Sequence, residues 1–326
     1  MKFEDVETAR KRYFTKSQEL SKKRKKIILI VSIIILSIGL FIFAPSIKTT
    51  MSKMFTSGSF MLIPIFVFLM FCFVTIVLIS AIIMSLTTHK DEVTLSEYYL
   101  DYKKAYKAYF VQRQLNNLFT NIQYDHNQGL NENLLKASNL IYTGDIFKSN
   151  DLVKAKYKNT DFIQADVEII TVKRDEDGDL EYSTIFKGRY LIFEFPKKIN
   201  HQMTISYHGH GEFHTNPKTG RKLSRIETES PDFNKHFLVY AEDNIEALYI
   251  LTPDIIDKLE KLGEKYQNAL SLYFSDNKLY IGLNDKNDAF EPPLASEPIN
   301  EKQEEQKIIK DMELITELVD NLKLNK

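Results

Sequence analysis

The run Ile27–Ala44, IILIVSIIILSIGLFIFA, decides how the rest of this chain is read. It carries no charge, and only Ser32, Ser37 and Gly39 interrupt its apolar side chains. As a helix rising about 1.5 Å per residue it reaches roughly 27 Å, close to the hydrocarbon thickness of a bilayer. A second uncharged run, Phe60–Leu86, is longer, and its Pro64 falls in the first turns, where a missing N–H costs least. Two such runs predict a hairpin of two transmembrane helices. The long flank before Ile27, and the lack of an A-x-A-like site after the run, favour an uncleaved anchor over a signal peptide.

Cations set the expected orientation. Lys22, Lys23, Arg24, Lys25 and Lys26 precede the first run, with Arg10, Lys11, Arg12 and Lys16 further out. The loop Pro45–Ser59 holds only Lys48 and Lys53, whereas Lys90, Lys103, Lys104, Lys107 and Arg113 follow the second run. The positive-inside rule then places both termini in the cytoplasm, as a multi-pass protein of the cell (inner) membrane with the bilayer as partner. The basic cluster at 22–26 also suits anionic lipid headgroups, although orientation alone explains it. Neither run contains an ionisable residue, so an anchor is expected rather than a conducting path.

The remaining sequence is ordinary for a water-facing domain. The chain has 326 residues and a formal net charge of -1, which excludes a polycation built for nucleic acid. Its single cysteine, Cys72, lies inside the second apolar run, so no intramolecular disulfide supports the fold.

From Glu92 to Asn121 the periodicity is helical: Leu95, Tyr98, Tyr99, Tyr102, Ala105, Tyr106, Tyr109 and Phe110 recur at steps of three and four. This tyrosine stripe reads as a docking face on a stalk. After a weak stretch with a short helix at Glu132–Ser138, strands begin at Asp151 and continue through Phe162–Val172. Asp175-Glu176-Asp177-Gly178-Asp179 fails calcium-loop spacing and reads as an Asp-Gly hairpin turn. In the next strand, Glu181–Phe195, the apolar phase changes at Gly188. Tyr182 and Phe186 fall on one parity and Leu191, Phe193 and Phe195 on the other, which predicts a bulge at Gly188 and a single core. Further strands are expected near Met203–Tyr207 and His236–Tyr240.

Asp243 to Glu246 has capping-box spacing, and Thr252-Pro253 starts a second helix that Gly263 should stop. Ala269–Ser275 and Lys278–Leu283 form a hairpin about Asp276-Asn277. Beyond the proline-bearing linker, Ile308, Met312, Ile315, Val319 and Leu322 are spaced 4-3-4-3. That seam suits self-association, and hence a homo-oligomer, or docking on the parent domain.

Three blocks carry a family resemblance: EYSTIFKGRYLIFEF (Glu181–Phe195), FLVYAEDNIEALYILTPDIIDKLEKL (Phe237–Leu262), and KLYIGL with DAFEP (Lys278–Pro292). They resemble a bacterial family catalogued as domain of unknown function 3137, whose members place two N-terminal spans before one domain. The resemblance covers Tyr98–Pro292 and implies a membrane protein, with no catalytic residues to carry over.

Among candidate sites, His208, His210, Glu212 and His214 alternate on an extended chain and would present donors to zinc on one side. The polar composition that follows, Asn216-Pro217-Lys218-Thr219-Gly220, reads more simply as a hairpin tip. Lys187 and Arg189 mark either a pocket wall or, more commonly, a solvated face. No phosphate-cradling loop or nucleophile elbow is present, and no cofactor is implied.

The expected architecture is an α+β cytoplasmic domain, a mostly antiparallel sheet with two packed helices, on an N-terminal two-helix transmembrane hairpin. Its parts are a basic tail (1–26), the hairpin (27–86, with spans 27–44 and 60–86), a helical stalk (87–121), the domain (122–290), a linker (291–299) and an amphipathic helix (300–326). The expected function is a membrane-anchored binding or scaffold module for another membrane or cytoplasmic protein. The alternative is a membrane-tethered metal-dependent enzyme using His208–His214.

Overall fold

Among the described residues, alternating apolar positions from Thr120 onward build a sheet of nine strands in the order β1-β2-β3-β4-β9-β8-β5-β7-β6, every pairing antiparallel. The strands are β1 (Thr120–Asp125), β2 (Ile146–Tyr157), β3 (Thr160–Arg174), β4 (Leu180–Glu194), β5 (Met203–Tyr207), β6 (Ser224–Ile226), β7 (Phe237–Ala241), β8 (Leu270–Ser275) and β9 (Lys278–Leu283). The helices are α1 (Phe3–Ser57), α2 (Ile63–Tyr106), α3 (Gln112–Leu118), α4 (Glu132–Ser138), α5 (Pro231–His236), α6 (Asn244–Ile250), α7 (Pro253–Lys265) and α8 (Glu301–Asn321). A π-helical turn, Lys107–Val111, separates α2 from α3. The computed structural model describes the chain except at 58–62, 139, 197–198, 208–214, 216–219, 221 and 325–326, and except for the helix side chains at 40, 43, 46–47, 50–57, 63–69, 72, 80 and 83–90. Two compact units result: Met1–Ala105 with Pro293–Pro298, and Tyr106–Pro292 with Ile299–Lys326.

In the first unit, α1 and α2 run antiparallel. Tyr13 meets Tyr99 and Tyr102 at ring distances of 5.5 and 6.5 Å, and Arg24 Nε lies 2.9 Å from Asp91 Oδ2. Arg10 is held by Glu7 and donates to the carbonyl of Ala295 at 2.5 Å, while Tyr102 donates to that of Pro293. Leu29, Ile33, Ile38 and Phe41 of α1 and Phe73, Val77 and Leu78 of α2 are exposed.

Among the described residues, no helix is long and apolar enough to cross a membrane. That finding overturns the expected hairpin of spans at 27–44 and 60–86. The membrane class, the multi-pass location and the cytoplasmic assignment of both termini fall with it. A span needs about 20 consecutive apolar residues, and the described part of neither helix supplies such a window. The first run is instead the middle of a 55-residue helix that continues through Pro45, so most of the loop expected at Pro45–Ser59 is helical. The second run belongs to a helix of 44 residues, and much of it, Cys72 included, falls on side chains outside the described residues.

In the second unit both sheet faces are covered. On one face Ala165, Val167, Ile169, Phe186, Tyr190 and Ile192 pack with Leu135 of α4 and the flanking Leu130 and Leu140. Ser138 Oγ and Tyr190 Oη share a hydrogen bond of 2.6 Å there. On the other face lie Phe162, Leu191, Phe193, Leu272, Leu279, Ile281 and Leu283, all buried. Arg189 reaches from this face to the backbone carbonyl of Asp311, which puts α8 across it.

The two covered faces remove the need for the bulge expected at Gly188. Gly188 pairs in register with Val167, and the irregularity falls instead at Ile185, where Ile169 pairs with Phe186 but Ile170 with Thr184. Phe186 serves one core and Leu191 and Phe193 the other. Gly188 is glycine for a different reason: its φ is +151°, and a Cβ there would stand 2.0 Å from the Leu283 carbonyl oxygen. Gly263 does not stop α7, which runs on to Lys265. A Cβ on it would meet the Phe237 ring at 2.7 Å, so it serves close helix–sheet packing.

Local signals hold where the chemistry is local. Asp243 caps α6 by accepting from the Glu246 N–H at 2.7 Å, and Asp276 and Asn277 turn the β8–β9 hairpin with φ of 52° and 55°. The capping box is not reciprocal, because the Glu246 carboxylate accepts from the backbone of Asn200 and His201 instead.

Candidate functional site

Two local irregularities bring charge into the interior of the second unit. The first is the π-turn at Lys107–Val111. The helical stripe that buries Tyr106, Phe110 and Leu115 continues through it, and the extra residue rotates Lys107 inward until its side chain is 1% exposed. The second is a bulge in β2: Asn150 pairs with Asp166 and Val153 with Gln164, leaving Asp151 and Leu152 opposite Ala165. Asp151 adopts φ of +56°, and its carboxylate turns off the strand.

The two meet. Lys107 Nζ lies 2.5 Å from Asp151 Oδ2 and 2.8 Å from Glu291 Oε1. Tyr124 of β1 donates its hydroxyl to Asp151 Oδ1 at 2.6 Å, and Asn150 Nδ2 donates to Oδ2 at 2.6 Å. Burial and the Asp151 charge push the Tyr124 hydroxyl far above its usual range, so it remains a donor. Asp151, Asp288 and Glu291 each offer an oxygen, and these oxygens lie within 4.8 Å of one another.

Behind this trio stands Asp166 of β3, 4% exposed, with neither carboxylate oxygen hydrogen-bonded among the described residues. Burial is the main reason its carboxyl is raised well above the ordinary range; Asp151 and Asp288 add to the effect, and Arg189 and Lys107 oppose it. Beside it the fully buried Gln164 amide also lacks a hydrogen-bond partner on both ends among the described residues. Unsatisfied buried polar groups in one place ask for water or a ligand.

A cleft of about 620 Å³, rich in charged residues, adjoins the sheet where β4 and β9 meet α8. Its wall includes Arg189, Lys265, Lys286, Lys307 and Lys310, against Asp285, Asp311 and Glu313. Arg189 is buried. It faces Asp285 at 3.4 Å, and its Nε has no hydrogen-bond partner among the described residues. The expectation of a solvated face therefore fails for Arg189: its partner α8 comes from the far end of the chain. Lys265 lies 3.2 Å from Glu313, and Lys307 donates to the Glu291 carbonyl at 2.6 Å. Among the described residues Lys286 and Lys310 have no ion-pair partner. Burial raises the Asp311 carboxyl, although Arg189 and the Phe290 N–H act against the shift.

The sequence-predicted sites fall elsewhere. His208, His210, Glu212 and His214 lie outside the described residues. Lys22, Lys23, Lys25 and Lys26 are exposed on α1, and Arg24 is paired with Asp91. Ile308, Met312, Ile315 and Val319 are fully buried within the second unit, with Leu322 at 6% exposure. From sequence Lys107 bears on topology alone, and Tyr124, Asp151, Asp166, Asp288 and Glu291 carry no site role. The available signal was the pair of acids in Asp288-Ala289-Phe290-Glu291-Pro292, already conspicuous as the end of a recognisable block.

Fold and site together define an α+β module: a wide antiparallel sheet, covered on both faces, with a buried ionic cluster and a basic cleft on the α8 side. Residues 184–324 match the family model described as "Protein of unknown function (DUF3137)". The match supports the resemblance drawn from the sequence blocks and takes in Arg189, Asp288, Glu291 and Asp311, whereas Lys107, Tyr124, Asp151 and Asp166 precede it. The family's two-span plan is not supported. No curated protein matches the chain. A crystal structure of the mycobacterial trehalose monomycolate transport factor A, TtfA, is similar over 67% of this chain and 94% of that one, at 9% identity and a TM-score of 0.36. A likeness at that level carries no argument about function.

Proposed function

We propose that the protein is a binding module whose sheet unit takes an acidic partner in the cleft beside α8. The observation that carries this reading is the cationic wall: Lys286 and Lys310 stand without ion-pair partners among the described residues, next to an Arg189 whose Nε is unbonded. The cleft is open, and most of the residues that line it carry charged or amide side chains. Such a surface suits a charged segment better than an apolar small molecule, whose pocket is mostly hydrophobic. Arg189 is pre-oriented by Asp285 and Asp311, so a carboxylate or phosphate oxygen would meet a donor that is already ordered.

Titration of the full chain with a labelled poly-glutamate peptide, and with inorganic phosphate as the small-anion comparison, tests the reading. Binding that weakens with added salt and on Lys286→Gln/Lys310→Gln supports it. Equal binding by wild type and the double variant removes it.

A further inference from the structure

We propose that Asp151, Asp288 and Glu291, backed by Asp166, form a binding site for a hard divalent cation of calcium's size.

Three ligand oxygens already lie within 4.8 Å of one another. Calcium–oxygen bonds of about 2.3–2.6 Å allow ligand oxygens up to roughly 4.6–5.2 Å apart, so oxygens no further than 4.8 Å from one another can share one such ion. Magnesium dehydrates reluctantly and is usually held by only one or two carboxylates, so a set of three favours calcium. An all-oxygen donor set also disfavours the softer transition metals.

A group of acids alone is common on protein surfaces. What singles this one out is Asp166, a buried carboxylate that among the described residues has no hydrogen bond on either oxygen. Asp166 is directly opposite Asn150 in the β2–β3 register, so their side chains share a face, and Asn150 Nδ2 donates to Asp151 Oδ2. The Asp151 carboxylate therefore lies over Asp166, and the like charges that act on Asp166 include Asp151 and Asp288. Four carboxyl groups thus converge beside Lys107, with Asp151 and Asp166 buried, Glu291 half-buried and Asp288 at the surface. A divalent ion held by the outer three would supply the positive charge that Asp166 lacks as a hydrogen-bonded partner.

The remaining parts fit. Tyr124 and Asn150 fix the Asp151 oxygens from outside the ligand set. Asp288 is exposed and gives the ion a route in. Lys107 Nζ sits between Asp151 and Glu291, where an ion's own charge would act, so the ammonium and the metal compete for the same oxygens.

Equilibrium dialysis of chelator-treated full-length protein against labelled calcium is the test. Wild type should bind stoichiometrically. Lys107→Met should bind about tenfold more tightly for want of the competing ammonium, and Asp166→Asn about tenfold more weakly. Asp177→Asn, in the exposed acidic turn, should leave binding unchanged. The chain has no tryptophan, so terbium seated here should luminesce through Tyr124 and dim on Tyr124→Phe. Absence of saturable binding in both wild type and Lys107→Met overturns the proposal, as does loss of binding on Asp177→Asn. If Lys107→Met does not fold, wild type and Asp166→Asn decide alone.

Discussion

Lys107 Nζ lies 2.5 Å from Asp151 Oδ2, with both side chains shut away from solvent at 1% and 0% exposure. One end of this contact comes from a π-turn and the other from a β-bulge, so two departures from regular structure are tied by one ion pair. Breaking a buried pair strands the remaining charge, which typically costs about 3–5 kcal/mol. Lys107→Met should lower unfolding stability by about 3 kcal/mol in metal-free buffer, because Tyr124 and Asn150 still hold Asp151. Urea unfolding with a change below about 1 kcal/mol would show that the pair contributes little.

Gly188→Ala should be among the most damaging single-methyl changes in the sheet. Its φ of +151° is foreign to L side chains, and the new Cβ would collide with the Leu283 carbonyl oxygen across the β4–β9 ladder. A loss of about 2–4 kcal/mol in chemical denaturation is expected. A wild-type midpoint would mean that the two strands separate without penalty.

Asp311 links stability to pH. Its carboxyl is raised above 3.8 by burial, so the folded protein holds the proton over a pH range in which the unfolded chain has released it. The penalty is absent below the unfolded pKa. It grows as pH climbs through the window above that value and is complete once pH exceeds the folded pKa. Asp311→Asn, which can still accept from the Phe290 N–H at 3.3 Å, should therefore raise thermal stability near pH 7 and leave it unchanged near pH 3. A variant less stable at pH 7 would indicate that the attraction of Arg189 outweighs desolvation.

The cap of α6 gives a smaller, local effect. Asp243→Ala removes the acceptor for the Glu246 N–H and should cost about 1 kcal/mol. Hydrogen exchange confined to faster opening of Asn244–Ile250 would match that assignment, whereas protection lost across the whole sheet would contradict it.

Much of the sheet unit was legible from residue order. Alternation along Phe162–Val172 and Leu270–Leu283, the Asp276-Asn277 turn, the Asp243 cap and the Pro253 start are all settled by near neighbours, within reach of one turn or one strand pair. Apolar runs in the first ninety or so residues spoke as strongly for two short membrane helices, yet the described helices are longer and supply no qualifying span. The parity change across Gly188 was real. Its cause was misjudged because one strand cannot reveal that both of its faces are covered.

Only the tertiary structure decided where the charge goes. A π-turn and a positive-φ bulge cost backbone energy on their own and persist because the groups they expose satisfy one another, Lys107 with Asp151 and Glu291. Those partners stand on different elements, brought together by α8 lying across the sheet and by the segment after β9 folding back against it. Periodicity reports which face of a strand is apolar. It is silent about which distant carboxylate will share a desolvated pocket with a lysine, because that energy exists only once water has been excluded from both.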